Sequence, residues 1–186
     1  MSRPKMTLST LIEGCRRGQR HIQKELVDRY GPRLFSVALR YVPDHAHAQD
    51  VLQDSFVKIF TRIEQYQGTG SFEGWMHQIV VSTALSRLDR KWMRREVSRE
   101  STELDSPIEP YILQQLATEE IMRCVMQLPE GYRQVFNLYA VEGYRHREIA
   151  QLLGITTATS RSYYARARAQ LRDILLNNKI GLRHAE

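Results

Sequence analysis

The sequence has little of what marks secreted, membrane or β-sheet proteins. Its 186 residues include two cysteines, Cys15 and Cys124, which lie far apart without a CxxC partner, so we expect no disulfide framework and a reducing compartment. No apolar run is long enough to span a membrane, and the first residues lack the charged-then-apolar pattern of a signal peptide. Alternating-polarity strands, internal repeats and low-complexity tracts are missing as well. These absences predict an all-α protein in the cytoplasm.

What the sequence does have is charge that is sorted along the chain. Lys and Arg outnumber Asp and Glu by 16 to 10 in residues 1–97 and by 10 to 5 in residues 121–186, whereas residues 98–120 hold 1 against 6. The two basic blocks permit a polyanionic partner. Residues 98–110 combine two prolines with four acids, which is typical of a linker. We predict two small helical domains, at residues 1–97 and 111–178. A flexible acidic linker, residues 98–110, joins them, and residues 179–186 form a frayed tail.

The most informative stretch is Glu142–Leu175, which predicts a helix-turn-helix. A first helix is expected over Arg145–Leu153, with the small Ala150 where the two helices cross. Gly154 suits a helix end in positive φ, and Thr156 and Thr157 offer hydroxyls to cap a second helix. The predicted buried stripe of that helix is Tyr164, Ala167, Leu171, Ile174 and Leu175. The other faces carry Arg161, Ser162, Tyr163, Arg166, Arg168 and Arg172.

One position departs from this motif, and an ordinary helical hairpin with solvated arginines is the alternative interpretation. Ser160 stands where the motif usually packs a Val or Ile into the helix crossing. A serine hydroxyl in a helix can donate back to a carbonyl of the same helix, so we expect Ser160 to be tolerated in this way.

Four further helices are predicted in the first domain. The first begins at Thr7, the second covers residues 21–41 with a kink at Gly31-Pro32, and the third follows an Asp44 cap over Ala46–Tyr66. The fourth begins near Phe72 after a cap by Ser71 or Thr69. Two more helices, Tyr111–Gln127 and Arg133–Val141, are predicted to precede the helix-turn-helix.

Two charged surfaces of the first domain call for a partner. Asp50, Gln53, Asp54 and Lys58 share one face of the third helix, because spacings of three and four place side chains together. The spacing leaves open whether this face docks a basic partner or only solubilises the helix. The fourth helix ends as a basic rod with Trp92 interleaved, which suits a phosphate backbone and exposed bases. Its cations are Arg87, Arg90, Lys91, Arg94 and Arg95.

The histidines do not predict a metal site. His45 and His47 lie near Asp44 and Asp50, but residues two apart on a helix point in different directions, and no convincing third ligand is close. No phosphate-binding loop and no nucleophile–base set is present in the sequence either. We expect no cofactor, no bound metal and no enzymatic activity.

Three segments resemble the bacterial sigma-70 family of RNA polymerase sigma factors, in its compact extracytoplasmic-function (ECF) group. DVLQDSFVKIF resembles the family's DxxQDxFxK helix, and FEGWMHQIVVSTALSRLDRKWMRR resembles its FxxWLxxIAxNxxxDxxRxxxR segment. The stretch from Leu128 to Leu175 resembles its C-terminal domain almost throughout. The resemblance covers residues 8–176 in the family's order. It implies a factor that binds core RNA polymerase and directs promoter-specific initiation.

The resemblance also implies roles for particular residues. Docking on the coiled coil of the largest catalytic subunit of RNA polymerase is implied for Asp50, Gln53, Asp54 and Phe56. Contact with the promoter −10 strand, with a base flipped into a pocket, is implied for the Gln67–Ser71 loop and the helix after it, namely Gln67, Ser71, Ser82, Arg87, Arg90, Lys91, Arg94 and Arg95. Reading of the −35 element in the major groove is implied for Thr157, Thr159, Arg161, Ser162, Tyr163 and Arg166.

Two positions depart from the residues that are usual in the family. Ser82 stands where the family often has Asn, and Tyr163 where it often has Arg, so the promoter preference is expected to differ from the common one. An anti-sigma protein is expected to cover the Asp50–Phe56 face and the −35 helix.

Two other protein classes are alternatives. Tight binding to duplex DNA without polymerase would favour a stand-alone helix-turn-helix regulator, and catalytic turnover would favour a helical enzyme that acts on nucleic acid.

Overall fold

The computed structural model describes residues 6–42, 44–88 and 118–183, with side chains from 120 to 177 in the last range. Within these ranges the regular structure is helical throughout, which confirms the predicted all-α fold. The chain divides into two compact units, Met1–Leu88 and Asp89–Glu186. The predicted linker, residues 98–110, lies outside the described residues, so its boundaries stay a prediction.

The first unit contains α1 (Leu8–Arg16), α2 (Arg20–Leu39), α3 (His45–Arg62), a 3₁₀ turn (Ile63–Gln65) and α4 (Phe72–Arg87). The N-caps predicted at Asp44 and Ser71 form in this unit, and Thr7 caps α1 as well, because a side-chain oxygen accepts a hydrogen bond from a backbone N–H of the first turn. Thr7 accepts from Thr10, Asp44 from His47 and Ser71 from Gly74. Helix α2 continues through Pro32, where the sequence predicts a kink.

The core of the first unit lies where α3 packs against α2 and α4. Its fully buried side chains include Leu26, Leu34, Ile59 and Met76, and each contributes about 1.5–3 kcal/mol by leaving water. Helix α1 packs closely on α2 at Gly14. A Cβ at that position would lie 2.2 Å from Cδ1 of Ile22, so this contact requires glycine or a shift of the isoleucine.

The second unit contains α5 (Thr118–Met126), α6 (Glu130–Phe136), a π-helical segment (Asn137–Val141), α7 (His146–Leu153) and α8 (Thr157–Arg183). The sequence predicts one helix over Arg133–Val141, and the structure instead changes from α to π geometry at Asn137. Helix α8 also continues to Arg183, into the tail that was predicted to fray from residue 179.

Helix α8 runs along the other helices of the second unit and packs mainly on α6 and α7. Leu138, Ile149, Leu153 and Leu171 are buried between them. Arg133 of α6 is buried here as well. Its Nη1 donates to the carbonyl of Met126 at 3.1 Å. That carbonyl is at the C-terminal end of α5, where an arginine hydrogen-bonds a carbonyl left free by the helix and offsets its dipole.

Candidate protein and nucleic-acid interfaces

The turn between α7 and α8 has the geometry that the sequence predicts for a helix-turn-helix. Gly154 adopts a φ of 71°, and its N–H and that of Ile155 both donate to the carbonyl of Ala150, at 2.9 and 3.1 Å. Oγ1 of Thr156 accepts a hydrogen bond from the N–H of Thr159 at 3.0 Å, and so caps α8. A glycine with positive φ followed by a hydroxyl cap lets one helix end and the next begin within three residues.

Ser160 joins the two helices at their crossing. Its side chain is fully buried, and its Oγ lies 2.9 Å from Nδ1 of His146 in the first turn of α7. From the sequence, a bond back to a carbonyl of the same helix was one way to accommodate this hydroxyl, and in the structure it meets a ring nitrogen on the neighbouring helix instead. A polar pair therefore occupies the place of the usual apolar contact.

No role was predicted for His146 from the sequence, where histidines were considered only as metal ligands. The imidazole stacks on Tyr139 with ring centroids 4.2 Å apart, and Tyr164 packs on Tyr139 at 4.5 Å. Burial, together with the positive charge of Arg161, lowers the pKa of His146 below its ordinary value of 6.5. A neutral imidazole at pH 7 suits the hydrogen bond to Ser160.

The buried stripe of α8 is displaced by one residue from the prediction in its first turns. The structure buries Ser160, Tyr163, Ala167, Leu171 and Leu175, whereas Tyr164 and Ile174 are half-buried. Tyr163 is 4% exposed, and its ring meets that of Tyr132 edge to face at 5.2 Å. The assignment of Tyr163 to DNA contact is therefore corrected: its ring belongs to the core of the unit.

The other predicted −35 residues lie at or near the surface of the first turns of α8. Arg161 is exposed, and Thr157, Thr159, Ser162 and Arg166 are half-buried. Oγ1 of Thr159 lies 2.8 Å from that of Thr156, so it takes part in the helix cap. Arg166 donates from Nη1 to the hydroxyl of Tyr132 at 3.3 Å. Within the described residues, the members of this set without such a contact are Thr157, Arg161 and Ser162, which together form the recognition surface.

A second candidate surface lies on α3, in the first unit. Asp50 and Gln53 are exposed and Asp54 is half-buried, at spacings that place them on one face. Phe56 does not lie on this face, because it is 7% exposed and packs against Phe60. The apolar residue that continues the face is Val57, which is 58% exposed. Asp50, Gln53, Asp54 and Val57 are called the acidic face from here on.

Arg87 at the end of α4 reaches the acidic face. Its Nε donates to Oδ2 of Asp54 at 2.9 Å and its Nη1 to Oδ2 of Asp50 at 3.3 Å, while Nη2 also pairs with Asp54. These bonds raise the pKa of Arg87 further, with the Asp54 bond as the main cause. The structure thus brings together a residue predicted for DNA and two predicted for protein docking. Arg87 lies 33 residues from Asp54 and 37 from Asp50 in the sequence, so helical periodicity could not predict this contact.

The predicted −10 loop, Gln67–Ser71, rests on aromatic side chains. The ring of Tyr66 packs on Phe72 and Trp75 with centroids 5.0 and 5.6 Å away. The Tyr66 hydroxyl donates to the carbonyl of Gly70 at 2.8 Å, which ties the loop to this cluster. Gly68 and Gly70 supply the loop's positive φ values of 78° and 85°.

The remaining residues predicted for −10 contact differ in the hydrogen bonds that their side chains already make. Gln67, Ser71 and Ser82 are exposed, but the Ser71 hydroxyl caps α4 and that of Ser82 donates to the carbonyl of Ile79. Four of the predicted cations lie outside the described residues, namely Arg90, Lys91, Arg94 and Arg95.

The described residues contain neither a membrane-spanning helix nor a metal-ligand cluster. In the ranges 6–42, 44–88 and 118–183, no helix combines the length and the apolar character needed to cross a membrane. Over the same part of the chain, no three His, Cys, Asp or Glu side chains are grouped so that they could hold a metal ion.

Comparison with known proteins gives matches to both units. The family profile described as Sigma-70 region 2 matches residues 26–94, and that described as Sigma-70, region 4 matches residues 118–171. The ECF RNA polymerase sigma factor SigE of Mycolicibacterium smegmatis is 31% identical over 81% of this chain, which spans 60% of that relative. The RNA polymerase sigma-H factor of Pseudomonas aeruginosa is 28% identical, over 85% of this chain and 88% of its own length.

Among solved structures, one similar chain is the sigma factor RpoE of Bartonella quintana, solved in complex with the anti-sigma factor NepR. It is 18% identical, with a TM-score of 0.50, over 82% of this chain and 95% of its own. At this level of identity the match speaks for the fold, and it agrees with the helical architecture described above.

Proposed function

Because this chain belongs to the sigma-70 family, in its extracytoplasmic-function group, we propose that it binds core RNA polymerase and directs initiation at promoters with its own −10 and −35 elements. The observation that carries the proposal is that one chain holds matches to both region 2 and region 4 of the family. A stand-alone helix-turn-helix regulator has no need of the first of these domains.

Polymerase docks on the acidic face. An exposed and a half-buried carboxylate beside an exposed valine on a basic protein suit a helix that carries basic and apolar side chains. The partner is the coiled coil of the largest catalytic subunit, as the family resemblance implies. Phe56 supports this face from the core, and Val57 takes the contact role that the sequence analysis gave to Phe56.

The recognition surface on α8 reads the −35 element. Helix α8 begins at a capped turn, and its first turns carry the exposed Arg161 and the half-buried Ser162. An arginine that bonds a guanine in two places discriminates by about 1–3 kcal/mol, whereas a phosphate contact positions without reading sequence. With Tyr163 in the core, Arg161 is the leading candidate for base contact.

The −10 strand meets the Gln67–Ser71 loop and the end of α4. The glycine-bearing loop on its aromatic base, with Trp75 half-buried, suits an unstacked base, and the cations that follow α4 in the sequence suit the phosphates of the opened strand. Each domain reads a few bases, so binding is tight when polymerase tethers both to one promoter.

The proposed function also implies how the protein is regulated and where it acts. An anti-sigma protein covers the acidic face and the recognition surface when the factor is idle. The chain acts in the cytoplasm, where its polymerase partner is found, and has no catalytic turnover of its own. An anti-sigma domain that binds this chain and leaves both surfaces open would contradict the regulatory part of the proposal.

The test is a pulldown of the chain with bacterial core polymerase, followed by run-off transcription from a promoter library. We expect co-elution and promoter-selective transcripts, and we expect Asp54→Arg to abolish both, because it places a cation against Arg87 and reverses the charge of the acidic face. Glu73→Arg is the matched control, since it breaks the Arg33–Glu73 pair elsewhere in the same unit. Tight duplex binding without polymerase would instead identify a stand-alone regulator.

A further inference from the structure

We infer that Arg87 is a positioning residue of the polymerase-docking face and not one of the cations that hold promoter DNA. The inference rests on the function proposed above and revises the role that the sequence analysis gave to this residue. It follows from three features of the acidic face: where the guanidinium nitrogens point, what charge the cluster has, and which carboxylate oxygens remain open.

The guanidinium of Arg87 is committed to α3. Each of its nitrogens donates to a carboxylate, with Nε and Nη2 on Asp54 and Nη1 on Asp50. The planar fork of an arginine fits such an arrangement, because its N–H groups are fixed relative to one another. These bonds use three of the five N–H donors of the guanidinium, so a phosphate could meet only the two that remain.

The charge of the cluster also argues against a role at a phosphate. The two carboxylates of Asp50 and Asp54 and the guanidinium of Arg87 sum to a formal charge of −1, and the nearby Lys58 donates instead to Oγ1 of Thr83. A phosphate that approached Arg87 at this place would meet a net negative group. A basic side chain of a protein partner would be attracted to the same group, so the cluster selects for the partner that the acidic face is proposed to bind.

Arg87 leaves the acidic face usable. Its bonds to Asp50 and Asp54 end on the Oδ2 atoms, and the Oδ1 atoms accept no hydrogen bond within the part of the chain that the structure describes. A carboxylate oxygen can accept more than one hydrogen bond. Arg87 therefore restrains the rotamers of both aspartates before docking, while each keeps an acceptor for the partner. A partner that meets restrained side chains loses less conformational entropy when it binds.

The experiment compares Arg87→Gln with the matched variant Arg33→Gln in the full-length chain. Arg33 of α2 pairs with Glu73 of α4 at 3.1 Å, so its loss removes another surface ion pair between helices of the same unit. We expect Arg87→Gln to weaken binding to core polymerase about tenfold, and Arg33→Gln to leave it unchanged. Arg87→Lys should recover part of the affinity, because an ammonium keeps the charge but not the fork.

Run-off transcription at rising polymerase concentration separates the roles of Arg87. A docking defect is overcome when core polymerase is raised, whereas the loss of a DNA contact persists at saturation. Unchanged core affinity with a persistent transcription defect would return Arg87 to the DNA surface. Tighter core binding of Arg87→Gln would show that Arg87 competes with the partner. Either result overturns the inference.

Two controls keep the outcome decisive. Thermal unfolding of both glutamine variants tests whether the fold is intact. If Arg87→Gln does not fold, Arg87→Lys takes its place, and an affinity for core equal to that of the unchanged protein then contradicts the inference. If the unchanged protein itself does not bind core polymerase, the proposed function fails first, and the assignment of Arg87 to a docking face falls with it.

Discussion

The two candidate interfaces of this protein are built in opposite ways. The acidic face holds its charged groups at the surface, where Asp50, Asp54 and Arg87 pair across α3 and α4 in contact with water. The recognition surface is positioned from beneath, because Ser160 meets His146 of α7 and Tyr163 packs on Tyr132 of α6. Exposed ion pairs contribute about 0–1 kcal/mol to folding, whereas buried contacts contribute more. Substitution should therefore affect binding at the first interface and folding at the second.

The largest effect is expected from the core beneath the recognition helix. Leu171 of α8 is fully buried, so Leu171→Ala should lower the free energy of unfolding of the second unit by about 2–5 kcal/mol, through lost burial and the cavity left behind. Urea denaturation followed by circular dichroism measures the change.

The control for this prediction lies on the same helix. Leu176 is 41% exposed, and Leu176→Ala should change the free energy of unfolding by no more than about 0.5 kcal/mol. Equal losses for the two leucines would mean that α8 does not pack in the register described here.

A smaller effect is expected from the polar pair at the helix crossing. Ser160→Ala removes the hydroxyl that meets Nδ1 of His146, so the imidazole loses its hydrogen-bond partner in a half-buried site. The cost should be about 1–3 kcal/mol of unfolding free energy, measured by the same denaturation.

A double-mutant cycle isolates that pair. Replacing both residues, as Ser160→Val with His146→Phe, restores an apolar crossing and should recover most of the loss, because neither side then buries an unmatched polar group. Strictly additive effects of the two substitutions would contradict a direct bond between Ser160 and His146.

The sequence was a good guide where structure depends on neighbours along the chain. Asp44 and Ser71 could be predicted as caps, and Gly154 as a helix end, because each of these features is decided within a few residues. Periodicity was less reliable where two residues of one kind adjoin. In the pair Tyr163 and Tyr164 either ring could have completed the stripe, and packing against Tyr132 decides the choice.

The sequence was a poor guide where distant residues meet. The pairing of Arg87 with Asp54 depends on how α4 lies against α3, and neither helix alone contains that information. The bond from Ser160 to His146 likewise depends on the crossing of α7 and α8. On α3, Phe56 and Val57 are neighbours of similar apolar character, and the packing of α3 on α2 and α4 decides which of them is buried.

The smallest expected effect is that of pH, because the two units should lose stability in different pH ranges. The pKa of His146 is lowered in the folded state, so the unfolded chain binds more protons as pH falls through 6.5, and stability of the second unit is lost in that range. In the first unit, the bonds from His47 lower the pKa of Asp44, and the stability that this provides is present above the ordinary value of 3.8 and lost below it. Mild acid should therefore weaken the second unit first.

Urea denaturation at pH 7.5, 6.5 and 5.5 tests this order, with circular dichroism for the whole chain and, in a Trp92→Phe background, the fluorescence of Trp75 for the first unit. His146→Phe is the matched variant: it keeps a ring against Tyr139 but has no proton to gain, so its second unit should keep the same stability across this pH range. A decline of equal slope in the variant would assign the acid sensitivity to other groups. If the free energy of unfolding of the second unit falls with pH in the wild-type protein and not in the variant, the acid sensitivity belongs to the imidazole of His146. The stability of the recognition helix would then depend on one titrating group beneath it, in contrast to the acidic face.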